Sequence, residues 1–236
     1  MSRYFINILF LLFFGYISAQ EQPKDSLTNV HTKFKLNPLN LRIGFDIGNY
    51  LTGIVNSENK TGFYLDSNIY KNYFLTILFG KETDNFNNGL LNVRTQGTYF
   101  KTGIDYNIYD NWPGMDNQVS VGFYYGYSNF DAFLYDYVIN QPASIFQPQP
   151  VVVNRNFYFS NNSWLELTGK LQVETLKNLY LGYTISLKYL LTSKRTDEFE
   201  AIYIPGFYKV NSHSNFGFGM QYFISYRFKI KKTAKK

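Results

Sequence analysis

From about residue 41 the chain alternates apolar and polar positions with a period of two, the spacing of a strand that is apolar on one face. Leu41, Ile43, Phe45 and Ile47 stand opposite Arg42, Gly44, Asp46 and Gly48. Phe100, Ile104 and Ile108 oppose Lys101, Gly103, Asp105 and Asn107. Val119, Val121, Phe123, Tyr125 and Tyr127 oppose Ser120, Gly122, Tyr124, Gly126 and Ser128. Leu165, Leu167, Leu171 and Val173 oppose Glu166, Thr168, Lys170 and Gln172, and Leu181, Tyr183, Ile185, Leu187 and Tyr189 oppose Gly182, Thr184, Ser186 and Lys188. The last run is the cleanest: Phe216, Phe218, Met220, Tyr222, Ile224, Tyr226 and Phe228 alternate with Asn215, Gly217, Gly219, Gln221, Ser225 and Arg227, and Phe223 alone breaks the pattern. Weaker runs near 61–70 and 73–83 bring the expected strands to eight. Most runs reach the roughly 9–11 residues that a membrane-crossing strand requires, well beyond the 5–6 or so usual in soluble sheets.

The connections alternate too. Tyr70-Lys71-Asn72, the Trp112-Pro113-Gly114 turn within 110–117 and Thr175–Leu179 are the shorter ones, while 53–60, 84–96, 131–161 and 194–214 read as long loops. Short turns at one end and long loops at the other, on an even number of strands, are the layout of an outer-membrane barrel. The expected fold is therefore all-β, an eight-stranded antiparallel up-and-down transmembrane barrel over 41–230, with both chain ends at the short-turn end.

The faces identify the solvent. The polar face is rich in Gly, Ser and Thr, which suits a narrow packed lumen, and the other face carries bulky Leu, Ile, Phe and Tyr, which suits lipid. A soluble periplasmic ligand-binding barrel, the alternative all-β reading, reverses this. The lumen charges expected on the polar face balance: Arg42, Lys101, Lys170, Lys188 and Arg227 against Asp46, Asp66, Asp105, Glu166 and Glu174. Eight strands enclose a space that side chains just fill, and buried charges require partners, so a plugged, ion-paired lumen and no pore are expected.

The first residues, MSRYFINILFLLFFGYISAQ, combine Arg3, the apolar core Ile6–Phe14 and a small-residue site at Ser18-Ala19. That is the layout of an export signal over 1–19. Residues 20–40 are polar and unpatterned, as expected of a flexible periplasmic arm. The chain's +6 formal charge is accounted for by Arg3 and by Lys229, Lys231, Lys232, Lys235 and Lys236 at the C-terminus, leaving a neutral body. The basic tail at 231–236 is expected in the periplasm, and with no basic patch on a folded face nucleic acid is not an expected partner. With no Cys and only His31 and His213, neither a disulfide scaffold nor a Cys- or His-rich metal site is expected, and no cofactor is.

The runs Gly103-Ile104-Asp105-Tyr106-Asn107, Gly114-Met115-Asp116-Asn117, Trp164-Leu165-Glu166-Leu167, Glu174-Thr175-Leu176-Lys177-Asn178-Leu179-Tyr180-Leu181-Gly182 and Tyr203-Ile204-Pro205-Gly206-Phe207 resemble those of a small uncharacterised outer-membrane β-barrel family of the Bacteroidota, a domain of unknown function. The resemblance spans about 40–230. It implies export to the cell outer membrane and barrel topology, and it carries no reaction, ligand or site residue.

Two kinds of function remain. A lipid-modifying enzyme at the rim needs a His held by a carboxylate beside a nucleophile. His213 is the eligible base, with Ser212 and Ser214 beside it and Asp197, Glu198 and Glu200 in the same loop, although neighbours in extended chain point to opposite faces. The favoured expectation is non-enzymatic: a structural or interaction role in contact with outer-membrane lipid, as an accessory subunit that meets an outer-membrane or periplasmic protein partner. The candidate surfaces are Trp112 and Met115 at the turn end, Phe133, Tyr135, Tyr137, Phe146, Phe157 and Phe159 in 131–161, and Tyr203 and Phe207 beside a Pro-Gly turn. The 131–161 segment reads either as strands that continue past the membrane as a hairpin or as an interaction patch.

Overall fold

A computed structural model describes residues 40–55, 58–111, 115–139, 149–193, 199–211 and 213–229. The expected export signal, the expected arm up to residue 39, the basic tail, Trp112, Phe146, Asp197, Glu198 and Ser212 lie outside the described residues, and Asn40, expected in the arm, begins the first strand. Eight strands form the wall: β1 (Asn40–Asp46), β2 (Lys60–Tyr70), β3 (Tyr73–Asn87), β4 (Leu91–Asn107), β5 (Gln118–Val138), β6 (Pro150–Leu176), β7 (Leu179–Thr192) and β10 (Phe216–Lys229). Each pairs antiparallel with its neighbour, and β1 pairs with both β2 and β10, from Asn40↔Lys229 to Asp46↔Phe223, closing the barrel. Between β7 and β10 a small hairpin joins β8 (Tyr203–Ile204) to β9 (Tyr208–Lys209).

The faces fall as the alternation predicts. Val121, Phe123, Leu167, Leu187, Phe218 and Tyr222 are exposed on the exterior, while Asp66, Lys101, Asp105, Glu166, Lys170 and Lys188 are buried in the lumen. An apolar exterior around a charged interior is favourable only where lipid surrounds the wall, and a closed barrel satisfies its backbone there. The protein is an eight-stranded transmembrane barrel, and the soluble alternative, which needs the opposite polarity, does not fit it.

The upper edge of the lipid belt can be read residue by residue. Phe63, Phe79, Phe100 and Tyr127 are successive direct cross-strand partners on the exterior of β2 to β5, and Tyr189 pairs with Phe216 on β7 and β10. Such a ring of aromatics sits where hydrocarbon meets headgroups. One step toward the loop end the exterior turns polar: Thr61 pairs with Lys81, Lys81 with Thr98, and Thr98 with Asn129. The interior switches at the same level, because Val93, Phe130, Ala132, Leu134, Phe157 and Phe159 now form a buried apolar cluster. Above the belt the wall meets water and follows the ordinary rule of apolar inside.

Two of the loops expected to be long are therefore mostly strand. Residues 84–96 are the tips of β3 and β4 with a link of three residues, Asn88 to Leu90, whose Gly89 has φ +79. In 131–161, β5 continues to Val138 and β6 starts at Pro150, so the protruding hairpin is present. The alternation there keeps its period while the polarity of the faces inverts, which disguises it as loop. In 194–214 the chain folds inward as the β8–β9 hairpin. The first strand departs in the opposite sense: β1 ends at Asp46, and 47–55 is a helix, α1 (Ile47–Val55). Asp46 Oδ1 accepts from the Asn49 N–H at 2.9 Å and caps it. The helix puts Tyr50, Leu51 and Ile54 outward and Asn49 and Gly53 inward, the same inside-out polarity as the strands around it.

Candidate functional site

The lower lumen holds one cluster of charges. Arg42, on β1, donates from Nε and Nη2 to the two carboxylate oxygens of Asp66 on β2, at 2.6 and 2.8 Å, and a further Nη2 bond reaches Gln118. Its guanidinium lies over the rings of Phe74 and Tyr180. Tyr64 donates to Asp66. Lys170 Nζ is ion-paired with Asp105, bonds Tyr64 Oη at 3.0 Å and lies 3.8 Å from Asp66. The hydroxyls of Thr76 and Tyr124 also donate to Asp105, at 2.6 and 2.7 Å. Two cations and two carboxylates thus satisfy one another through tyrosine and threonine hydroxyls, as burial of charge demands.

A second cluster stands higher. Glu166 Oε1 lies 3.1 Å from Lys101 Nζ and 3.6 Å from Lys188 Nζ and accepts the Trp164 indole N–H at 2.7 Å. At the turn end Arg227 pairs with Glu174 at 3.3 Å and with Asp116. All ten charged residues expected in the lumen face it. Asp46 is the one whose role differs, since it caps α1 and accepts from Gln221 at 3.1 Å.

The sequence reading missed Glu82. It is fully buried and holds the β8–β9 hairpin down in the barrel mouth. It accepts from Tyr203 Oη at 2.6 Å, from the Gly206 N–H at 2.9 Å and from Asn49 Nδ2 at 3.2 Å. Lys188 donates to the Gly206 carbonyl at 2.7 Å, and Phe207 meets Trp164 edge to face. Burial and the neighbouring Glu82 charge push the Tyr203 phenol well above its ordinary pKa. Tyr203 and Phe207, expected as candidate binding surface, are 4% and 1% exposed: they are the plug. Glu82 stayed hidden because the run near 73–83 alternates only weakly and carried no face assignment.

Phe157 and Phe159 are likewise buried rather than presented to a partner. Phe159 stacks on Phe130 and Phe157 on Phe199. Phe133, Tyr135 and Tyr137 are half-buried on the extension, and Met115 is exposed at the turn end. His213 is exposed in a tight turn in which its N–H donates to Asn211 Oδ1. Ser214 Oγ accepts from the Phe216 N–H, so its hydroxyl oxygen is engaged in the backbone of the turn.

Family comparison finds that the model of a domain of unknown function, DUF6048, matches residues 1–233. No curated protein matches. Among solved structures the chain is similar to Ail, the attachment invasion locus protein of Yersinia pestis, at 11% identity, over 80% of this chain and 97% of that one, with a TM-score of 0.37.

Proposed function

This chain belongs to the DUF6048 family, a domain of unknown function, and since that family supplies no residue with a role we propose from the geometry that it is an exported, non-porous outer-membrane barrel with an interaction role. Its short-turn end and termini face the periplasm, residues 1–19 direct its export, and its loop end faces outward. One observation carries the reading: the lumen is filled by paired charges and a tethered plug, while β3 to β6 rise beyond the lipid belt as a sheet with its own apolar core. A wall built only to cross the membrane has no need of strands of 21 and 27 residues.

The extension offers Phe133, Tyr135, Tyr158 and Val152 on its outer side beside Arg94 and Asp131, an amphipathic surface suited to a protein partner. On this reading the protein is an accessory subunit of a larger outer-membrane assembly, and the role is not catalytic. Extraction of the tagged protein in mild detergent, followed by native mass measurement, tests it. A stoichiometric complex that is lost when Phe133 and Tyr158 are both replaced by Asp, with the barrel still folded, is the expected result. A lone barrel of monomer mass that conducts ions stably in a planar bilayer would overturn both halves of the reading.

A further inference from the structure

The wall is not continuous strand all the way round. β10 pairs with β7 over Phe216–Tyr226 but with β1 only from Phe223 onward. Its loop-end half, Phe216 to Tyr222, therefore has a strand on one side only. On the other side stands α1, whose Gly48 approaches the backbone of Tyr222. β2 shows the same on its facing edge, since β1 pairs with it only from Phe63 to Ser67. Across this seam α1 takes the place of a paired strand: Gly48 packs on Tyr222, and the Gly53 carbonyl accepts from the Glu58 N–H at 2.7 Å.

Behind the seam lies a cavity of about 640 Å³, within the roughly 300–1,000 Å³ of a small-molecule site. Its lining changes character with depth. Phe216 and Phe218 border it from the exterior face of β10, at and just below the aromatic ring that marks the edge of the lipid belt. Asn49 and Thr52 of α1 and Tyr208 of the plug supply neutral polar groups. One cation is shared by two carboxylates: Lys60 Nζ lies 2.7 Å from Glu58 and 3.0 Å from Asp84, and Lys209 is exposed on the same lining. The wall thus carries two cations and two carboxylates within one small space, with no excess of either sign.

We infer that this seam is a lateral binding site for one amphiphile of the surrounding leaflet, a lipid with a zwitterionic phosphate–ammonium headgroup. The position selects a lipid, because the cavity opens at headgroup level beside apolar rings that face hydrocarbon. The charge balance selects the head. Glu58 and Asp84 share the single Lys60 and so keep one negative charge in excess, which an ammonium meets, while Lys209 meets the phosphate; a purely anionic head leaves that excess unanswered. The acyl chains lie along Phe216 and Phe218.

The test uses the full-length protein, delipidated in detergent and returned to nanodiscs that contain phosphatidylethanolamine, phosphatidylglycerol or an equal mixture. Retained lipid is read by native mass spectrometry, with free phosphoethanolamine as a separate arm. The expected result is one phosphatidylethanolamine per barrel, enriched at least tenfold over phosphatidylglycerol from the mixture, and no retention of the free headgroup. Thr52→Trp, which fills the cavity from an exposed helix position, should cut retention at least tenfold, and Lys209→Glu should abolish the preference between the two lipids. Equal retention of both lipids by the unaltered protein, or retention unchanged in a Thr52→Trp barrel that still migrates as folded on an unheated gel, overturns the site. A Thr52→Trp chain that fails to fold leaves Lys209→Glu, at the surface, to decide by the same criterion. Neither readout depends on whether the barrel conducts or binds a protein, so this inference and the interaction role stand or fall separately.

Discussion

Asp66 shows how closely the lumen's stability is tied to single atoms. Its two oxygens serve Arg42, Tyr64 and the field of Lys170. Asp66→Ala leaves a buried guanidinium short of its counter-charge, and breaking a buried pair in this way costs about 3–5 kcal/mol. Urea unfolding in lipid vesicles should register that loss, and the double replacement Arg42→Met with Asp66→Leu should cost less than Asp66→Ala alone, since it removes both charges at once. Gly206 is constrained twice over. Its φ is +79, and a Cβ there would stand 2.6 Å from the Tyr99 ring. Gly206→Ala is expected to cost about 1–3 kcal/mol in backbone strain and to lift the plug, which limited proteolysis would report as faster cleavage within 199–211. Two inward aromatics depend on glycine in another way: Phe223 faces Gly182 and Trp164 faces Gly126 across the ladder, and in each case the missing side chain is the space the ring occupies.

At the scale of the element, the point of interest is where each strand leaves the lipid. The register places that point at one level on β2 to β5, between Phe63 and Thr61, Phe79 and Lys81, Phe100 and Thr98, and Tyr127 and Asn129. A charge added to the exterior should therefore be costly below the level and tolerated above it. Leu167→Arg, well within the belt, is expected to lower stability by about 2–4 kcal/mol, and Asp131→Arg, above it, by less than about 1 kcal/mol. Equal effects would mean that the belt is misplaced. The helix α1 obeys the same boundary with a different period: apolar Tyr50, Leu51 and Ile54 recur at helical spacing on the outside. Read with a period of two, Ile47 and Gly48 fit a strand as well as they fit a helix, and Asp46 ends the strand because its carboxylate is better used as a cap.

For the whole molecule, the same neutral, ion-paired lumen that stabilises the barrel also closes it. Lys101, Lys188 and Glu166 cross the bore at mid-height, and Phe207 with Trp164 roofs them. No stable single-channel conductance is expected in planar bilayers. Removing the roof alone, as in Gly206→Ala, should leave that result unchanged, because the charge clusters lie beneath it. The tall side of the molecule, β3 to β6, and the low side at α1 and β10 divide its surface between water and the membrane interface. That division is why an extramembrane partner and a leaflet lipid are assigned to different faces.

Period-two alternation and run length alone determined the architecture: eight strands, their order, the face that meets lipid and the ten charges that meet the lumen. These were legible because both solvents are uniform over the belt, so each residue's polarity reports its side directly. Above the belt that reading failed. Phe157 and Phe159 looked like exposed binding residues, because apolar inside replaces apolar outside at a level that only the cross-strand register locates; Glu82 went unassigned because its run near 73–83 alternates too weakly to show its faces. Tyr203 and Phe207 were misread for a related reason: a Pro-Gly turn specifies a reversal of the chain but not whether it points into water or into the barrel. That choice was made by Glu82, 121 residues from Tyr203, and by Lys188, 18 residues from Gly206, which meet the hairpin only when the wall closes. The seam at α1 belongs to tertiary structure as well, since a strand is missing from β10 only once β1 has been seen to stop at Asp46.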